Sequence, residues 1–304
     1  MSARRLALIG TIALPALLVA ACASSQARAP ADRGIAKSTP HGTWHMDVRG
    51  MADAEDNAGR RAHLHRRLLG AGLTVTAQPF VSGDLQGENL IADVGGPAEA
   101  PLLLIGAHSD RVHAGRGATD NASGSAAVLT LAERLKRQPL VHHRVKVAFW
   151  DLEERGLLGA HAYIEQSEEK NAGKPALYIN FDVFGWGDTL WLMRRDAAHP
   201  LVAASQDAAQ AQRIRIVAGD RYPPSDHIAF LKAGWPAVSY SLVGGDEIPG
   251  IIGMFEGKKP LRVPKAMKVI HTDNDTMAHI DEAAAAKGID AVEAAIRAWD
   301  AQTL

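Results

Sequence analysis

Cysteine is almost absent. Cys22 stands alone in 304 residues, so no disulfide can form within the chain. An excess of one charge is missing too: 33 Lys and Arg face 34 Asp and Glu, and a net charge of −1 exerts no global pull toward nucleic acid or an anionic membrane. The six tryptophans are scattered and build no base-stacking platform. No glycine-rich phosphate loop or dinucleotide fingerprint opens a helix after a strand, which removes support for nucleotide binding. Ser123 and Ser125 have no nucleophile-elbow context, so serine hydrolase chemistry is unsupported. No internal repeat is present. What remains is an ordinary globular composition, 47% hydrophobic and 22% charged, enough for one large α/β domain or two small ones.

The first residues are informative. Arg4 and Arg5 precede an apolar stretch from Leu6 to Ala21, which ends Val19-Ala20-Ala21-Cys22. A basic start, a short apolar core and small residues make a secretory signal. The stretch is shorter than the ~20 residues that span a bilayer. Val-Ala-Ala-Cys resembles a bacterial lipobox, with residues 1–21 as lipoprotein signal peptide. That implies cleavage before Cys22 and a lipid on its thiol. The product would be an exported lipoprotein on the periplasmic or other extracytoplasmic face of a membrane. The alternative is a plain signal peptide with a chance cysteine. Residues 22–40, rich in Ala, Ser and Pro, read as a flexible tether, and residues 41–304 as one domain.

Within that domain, residues 46–70 carry an amphipathic helix pattern, with Arg, His and Asp on the polar face, ended by Gly70 and Gly72. Leu73–Phe80 and Asn89–Val94 read as strands. Pro101–Ala107, Val145–Trp150 and Ala176–Phe181 are continuous apolar runs and read as buried strands. Weaker strands follow near Thr189–Met193, Ile214–Val217 and Ala237–Leu242. Helices are predicted at Ser123–Arg137, Gly156–Gln166, Pro200–Gln212 and Asp281–Ala301. Strands alternating with helices imply an α/β domain with a mostly parallel, mixed central β-sheet and helices on both faces.

Two adjacent glutamates, Glu153 and Glu154, come just after Val145–Trp150. Ionised carboxylates at the mouth of a buried strand cost desolvation energy unless a positive charge offsets it. A solvated turn is the bland account of such a pair; a bound cation is the other. In open α/β sheets ligands bind beyond the carboxyl ends of strands. His108-Ser109-Asp110 follow the first buried run and Asp182 follows the third, so three strands deliver metal-type groups to one edge. Asp120 lies in a glycine-rich loop before a helix, and His271 late in the chain. Each alone has a plain alternative: a hydrogen-bonded histidine, an N-cap for Asp120, a turn and cap for Asp275 and Thr276. Imidazole and carboxylate without thiolate suit Zn²⁺ or a related divalent metal in a catalytic site. Five such ligands exceed the three usual for one catalytic zinc and suit two metals bridged by a carboxylate and a water.

At these residues the chain resembles the co-catalytic di-zinc aminopeptidases, a family that also includes glutamate carboxypeptidase II and glutaminyl cyclases. The matching stretches are Gly106-Ala107-His108-Ser109-Asp110, Gly117 to Gly124, Glu153 to Gly159, Asn180-Phe181-Asp182, Ser225-Asp226-His227 with Phe230 to Gly234, and His271-Thr272 with Asp275-Thr276. They run in the family's order over roughly residues 60–300. The resemblance implies a zinc exopeptidase fold and two Zn²⁺ per chain. His108 and Asp182 would hold one ion, Glu154 and His271 the other, and Asp120 would bridge them across a cis Asp120–Asn121 peptide. Glu153 would be the general base, free of metal. Asp110 would orient His108 from behind. Tyr222 matches a position where some relatives place a tyrosine that supports the tetrahedral intermediate, although Pro223 and Pro224 could equally make it a packed loop residue.

Departures are few. Thr119 and Ala160 stand where an acidic residue and a serine are common, and Ile270 precedes His271 where some relatives carry a tyrosine. No arginine-rich pocket for a substrate carboxylate is evident, which favours an aminopeptidase acting on peptides over a carboxypeptidase. The alternatives are a glutaminyl-peptide cyclase of the same fold, disfavoured by a full two-metal set, and an inactive binding lipoprotein. His113, His142, His143, His161, His227 and His279 are assigned to surface or supporting roles, with His227 nearest the site. Asp246 and Glu247 read as a solvated loop, with capture of a substrate amine as the alternative.

Overall fold

Three apolar runs form the centre of the sheet. In the computed structural model, which describes residues 42–169 and 173–302, they are adjacent parallel strands. The strands are β1 (Thr74–Ser82), β2 (Leu85–Gly95), β3 (Leu102–His108), β4 (Arg144–Trp150), β5 (Leu177–Phe181), β6 (Thr189–Met193), β7 (Arg215–Gly219) and β8 (Ala237–Val243). They lie in the order β1-β2-β4-β3-β5-β8-β6-β7. β4, β3, β5 and β8 are mutually parallel, β6 and β7 are parallel to each other, and β1–β2, β2–β4 and β6–β8 are antiparallel. The signal, Cys22 and the tether expected from the sequence lie outside the described residues.

The central strands read as unbroken apolar runs because both faces are covered. Leu103 and Ile105 of β3 join one cluster with Val147, Phe149 and Ile179, while Leu104 points the other way into Ala148, Trp150 and Tyr178. Each such fully buried leucine contributes about 1.5–3 kcal/mol. The first face carries α1 (Gly42–Ala52), α3 (Gly124–Arg137), α5 (Pro200–Ala211) and α9 (Glu282–Gln302); the second carries α4 (Leu158–Glu169) and α6 (His227–Lys232). No helix among the described residues is long and apolar enough to cross a membrane.

The single helix expected at 46–70 is two, α1 and α2 (Asn57–Gly70), because Asp56 leaves the helical path and its carboxylate accepts the Gly59 N–H at 2.7 Å. β2 begins four residues earlier than the apolar pattern suggests. A tight turn with Gly83 at φ 57° pairs it with β1 from Ser82↔Leu85 onward. α6, α7 (Ile248–Phe255) and α8 (Ala266–Val269) are too short to leave a helical period in the sequence.

Candidate metal centre

The parallel core brings β3, β4 and β5 to one edge. β3 ends on His108, opposite Trp150 of β4; Glu153 and Glu154 follow within a single turn, and Asp182 follows β5. Asp120 comes from the kinked turn that leads into α3, and its peptide bond to Asn121 is cis. His271 lies just beyond α8. Three of these connections pass through the left-handed region at residues other than glycine: Leu152 at φ 57°, Val183 at φ 54° and His271 itself at φ 58°. For a β-branched valine this is costly, and such strain gathers where a site over-determines the backbone.

The side chains converge. Oδ1 of Asp120 is 3.1 Å from Nε2 of His108, while its Oδ2 is 3.1 Å from Nε2 of His271. Glu154 Oε2 lies 3.0 Å from the same His271 nitrogen, and Asp182 Oδ1 lies 3.5 Å from His108 Nε2. His108, Asp120 and Glu154 each offer a donor atom within 4.8 Å of the others. One carboxylate therefore faces two imidazoles, each of which has a further carboxylate beside it. Asp151 does not join the group. It accepts from Arg61 and from the N–H groups of Glu88 and Leu152 instead.

A layer of polar contacts fixes the loops. Asp110 accepts the backbone N–H of Glu153 at 3.1 Å and of Glu154 at 3.2 Å, and its Oδ1 is 3.4 Å from Nδ1 of His108. Asn121 donates to the Phe181 carbonyl at 2.9 Å and accepts from Gly124 and Val183, tying the Asp120 turn to the strand end that carries Asp182. Gly124 permits this, since a Cβ there would stand 2.7 Å from the Phe181 carbonyl oxygen. Asp275 accepts the N–H groups of Thr119 at 2.6 Å and Asp120 at 3.0 Å. Arg60, expected on a polar face, is fully buried. It donates to the carbonyls of Ser109, Arg116 and Gly117, which flank His108 and Asp120 in sequence. Nothing in the sequence distinguishes it from its neighbour Arg61.

The electrostatics are those of an anionic pocket short of positive charge. Burial pushes the Glu153 carboxyl up to about 10, against the pull of His108 and with repulsion from Asp226, Asp182 and Asp120. Burial raises Glu154 as well. Burial works against ionised Asp120 too, yet hydrogen bonds from His108 and His271 hold it below the usual carboxylate range. His271, bonded to Asp120 and Glu154, rises to about 10. Asp182 Oδ1 and Glu154 Oε1 are buried atoms without a hydrogen-bond partner among the described residues. Crowded carboxylates, orphaned oxygens and two imidazoles fit a divalent cation, and a mixed imidazole and carboxylate set without thiolate suits zinc or a related divalent metal in a catalytic site.

A family model described as peptidase family M28 matches residues 89–296. The chain belongs to peptidase family M28. Among its relatives, Leupeptin-inactivating enzyme 1 of Streptomyces exfoliatus is 35% identical over 187 residues, 57% of this chain and 41% of that protein. A Mycobacterium tuberculosis protein named "Probable lipoprotein aminopeptidase LpqL" is 30% identical over 233 residues, 70% of this chain and 44% of that one. This chain thus spans less than half the length of either relative. Among solved structures, a glutaminyl cyclase from an Acidobacteriales bacterium superposes with a TM-score of 0.69 at 17% identity, covering 90% of this chain and 99% of that one. That likeness establishes the shared fold.

This cluster opens on a cavity of about 240 Å³. His108, Asp120, Glu153, Glu154, Asp182 and His271 line one part; Trp191, Val243, Ile251, Phe255, Met267 and Ile270 make the rest mostly apolar. Tyr222 lines it too, its hydroxyl bonded to Ser241 and accepting from Ser239 at 3.3 Å. Behind Tyr222 lies His227, whose ring meets the phenol edge-on at 5.5 Å. Burial, aided by Arg195, lowers its imidazole to about 3, so it is neutral. Its neighbour Asp226 is fully buried, and burial raises its carboxyl well above the ordinary value. Neither Asp226 oxygen finds a hydrogen-bond partner among the described residues. Glu247 belongs to the framework rather than a solvated loop: it accepts the Ala266 N–H at 2.8 Å and the Trp186 indole N–H at 3.5 Å.

Proposed function

We propose that this M28 chain is a zinc-dependent aminopeptidase that removes the N-terminal residue of peptides. The observation that carries the reading is the split of Asp120, one oxygen toward His108 and the other toward His271. It suits a carboxylate that bridges two ions, with His108 and Asp182 on one and Glu154 and His271 on the other. A zinc pair held there supplies Lewis acidity that activates water and polarises the scissile carbonyl. Glu153, which has no part in that ligand set, takes a proton from the attacking water and passes it to the leaving amine. Asp110 keeps Glu153 and His108 in register. Tyr222, by turning its hydroxyl proton from Ser241 toward the substrate, supports the developing oxyanion from the cavity wall. The apolar part of the cavity takes the side chain of an aliphatic or aromatic N-terminal residue.

Residues 1–21 act as signal peptide, Cys22 carries the lipid, residues 22–40 form the tether and residues 41–304 the catalytic domain. The lipobox-like sequence supports this, as does similarity to a relative named a lipoprotein aminopeptidase. Full-length protein should hydrolyse leucyl-p-nitroanilide, lose the activity to a chelator and regain it with Zn²⁺. Cyclisation of glutaminyl peptides without release of any N-terminal residue would replace this reading with the cyclase one.

A further inference from the structure

Phe255 and Ala266 both line the cavity, so the segment between them begins and ends on its wall. Phe255 is 50% exposed and marks the mouth. From Glu256 to Lys268 the sequence is Glu-Gly-Lys-Lys-Pro-Leu-Arg-Val-Pro-Lys-Ala-Met-Lys, five cations against one carboxylate in a chain whose net charge is −1. All five cations are exposed. The one carboxylate is already engaged: Glu256 pairs with Lys258 at 2.7 Å and with Arg221 at 2.6 Å. The Arg221 pair joins the segment to the loop whose Tyr222, Pro223 and Pro224 form another part of the cavity wall. Lys265 stacks over the Trp186 ring at 4.2 Å. Lys259, Arg262 and Lys268 have no carboxylate within ion-pair distance among the described residues. Arg262 and Lys268 border a second, neighbouring groove with Asp246 and Glu247, the latter accepting the Ala266 N–H and the Trp186 indole N–H, so two carboxylates stand there among three exposed cations, Arg262, Lys265 and Lys268.

We propose that Lys259, Arg262 and Lys268, on or just after the segment that leaves the cavity wall at Phe255 and returns to it at Ala266, form a cationic subsite for acidic residues on the leaving side of a peptide substrate. The proposal rests on the aminopeptidase reading and extends it from the first residue to those after the cut. With the N-terminal side chain in the cavity, the leaving chain must exit through the mouth. An extended peptide advances about 3.3 Å per residue, so the second to fourth residues beyond the cut lie roughly 7–13 Å out. A carboxylate carried there is attracted by any of these cations that it approaches to within about one Debye length, about 8 Å at physiological salt.

Leu-Ala-Glu-Glu-Glu-amide and Leu-Ala-Lys-Lys-Lys-amide are compared on the zinc-loaded full chain. At low salt the acidic peptide should be favoured by about 10-fold in kcat/KM, and the ratio should fall toward one at about 0.5 M NaCl. The triple variant K259E/R262E/K268E should abolish or invert the preference, and Glu256→Gln should increase it. A ratio of one or below in the unmodified protein, or an undiminished ratio in the triple variant, overturns the proposal. Leucyl-p-nitroanilide has no residues beyond the cut, so failure to cleave it counts against the aminopeptidase reading alone. The subsite is then read from fluorescence anisotropy of the two labelled peptides, where equal affinities overturn it. Binding to phosphatidylglycerol vesicles that the triple variant loses, with no discrimination between the peptides, would assign these cations to a membrane surface and also overturn it.

Discussion

The carboxylate of Asp110 accepts the backbone N–H of Glu153 at 3.1 Å. The same oxygen lies 3.4 Å from Nδ1 of His108, and the other accepts from Glu154. One buried side chain thus couples the end of β3 to the turn after β4, the two places where the first imidazole and the paired glutamates arise. Asp110→Asn keeps the shape but turns an NH₂ group toward a backbone N–H. Loss of such a supporting carboxylate typically costs 10–100-fold in metal affinity or activity. We expect zinc affinity, measured by competition with a chromogenic chelator, to fall by about that factor. Unchanged affinity and kcat/KM would mean that the contacts to Glu153 and Glu154 are dispensable.

Glu153→Gln separates the two adjacent glutamates. If Glu153 moves protons and holds no metal, the amide should keep the full zinc content and lose about 10²–10⁴-fold in kcat. Glu154→Gln should instead lose zinc, since its Oε2 lies beside His271 and its other oxygen is buried without a partner. Metal analysis together with turnover distinguishes the two. Loss of zinc from Glu153→Gln would reverse the assignment.

The groups that converge here were visible in the sequence because each ends an apolar run or interrupts a glycine-rich loop. His108, Glu154 and Asp182 announce themselves by ending the β3 run or following β4 and β5. The framework behind them was not visible. Arg60 differs from Arg61 only in which side of α2 it occupies, and a break at Asp56 shifts the helical phase on which that judgement depends. Asp275 and Asn121 act through backbone N–H and carbonyl groups far away in sequence, which leave no local pattern. Nor does periodicity reveal that β6 enters antiparallel to β8, since a strand covered on both faces reads the same in either direction.

Arg60 offers a stability test of that framework. Its Nε donates to Ser109 at 2.6 Å and its Nη1 to Arg116 at 3.1 Å and Gly117 at 3.2 Å, all within a fully buried environment. Lysine keeps the charge but has no planar fork to span these carbonyls. With one or two acceptors left unpaired at about 1–3 kcal/mol each, Arg60→Lys should lower the unfolding free energy by about 2–4 kcal/mol in urea titrations. Arg61→Lys should cost much less, because Arg61 is partly exposed and bonds a side-chain carboxylate that a lysine can still reach. Equal effects at the two positions would deny Arg60 its special place.

His227 makes stability depend on acid. Burial, followed by repulsion from Arg195, lowers its imidazole to about 3 from an ordinary 6.5. Between those values the unfolded chain takes up a proton that the folded chain refuses. Stability from this residue is therefore complete above about pH 6.5 and lost progressively as pH falls toward 3. The full shift corresponds to roughly 5 kcal/mol, of which about 2 kcal/mol is gone by pH 5. Neither ring nitrogen meets a hydrogen-bond partner among the described residues, so the phenyl ring of a His227→Phe variant would fill similar space against Tyr222 without stranding a polar neighbour. Urea denaturation at pH 7 and pH 5 should show the variant losing about 2 kcal/mol less than the unmodified protein. The same loss in both would mean that His227 is protonated in the fold and contributes nothing to the acid sensitivity.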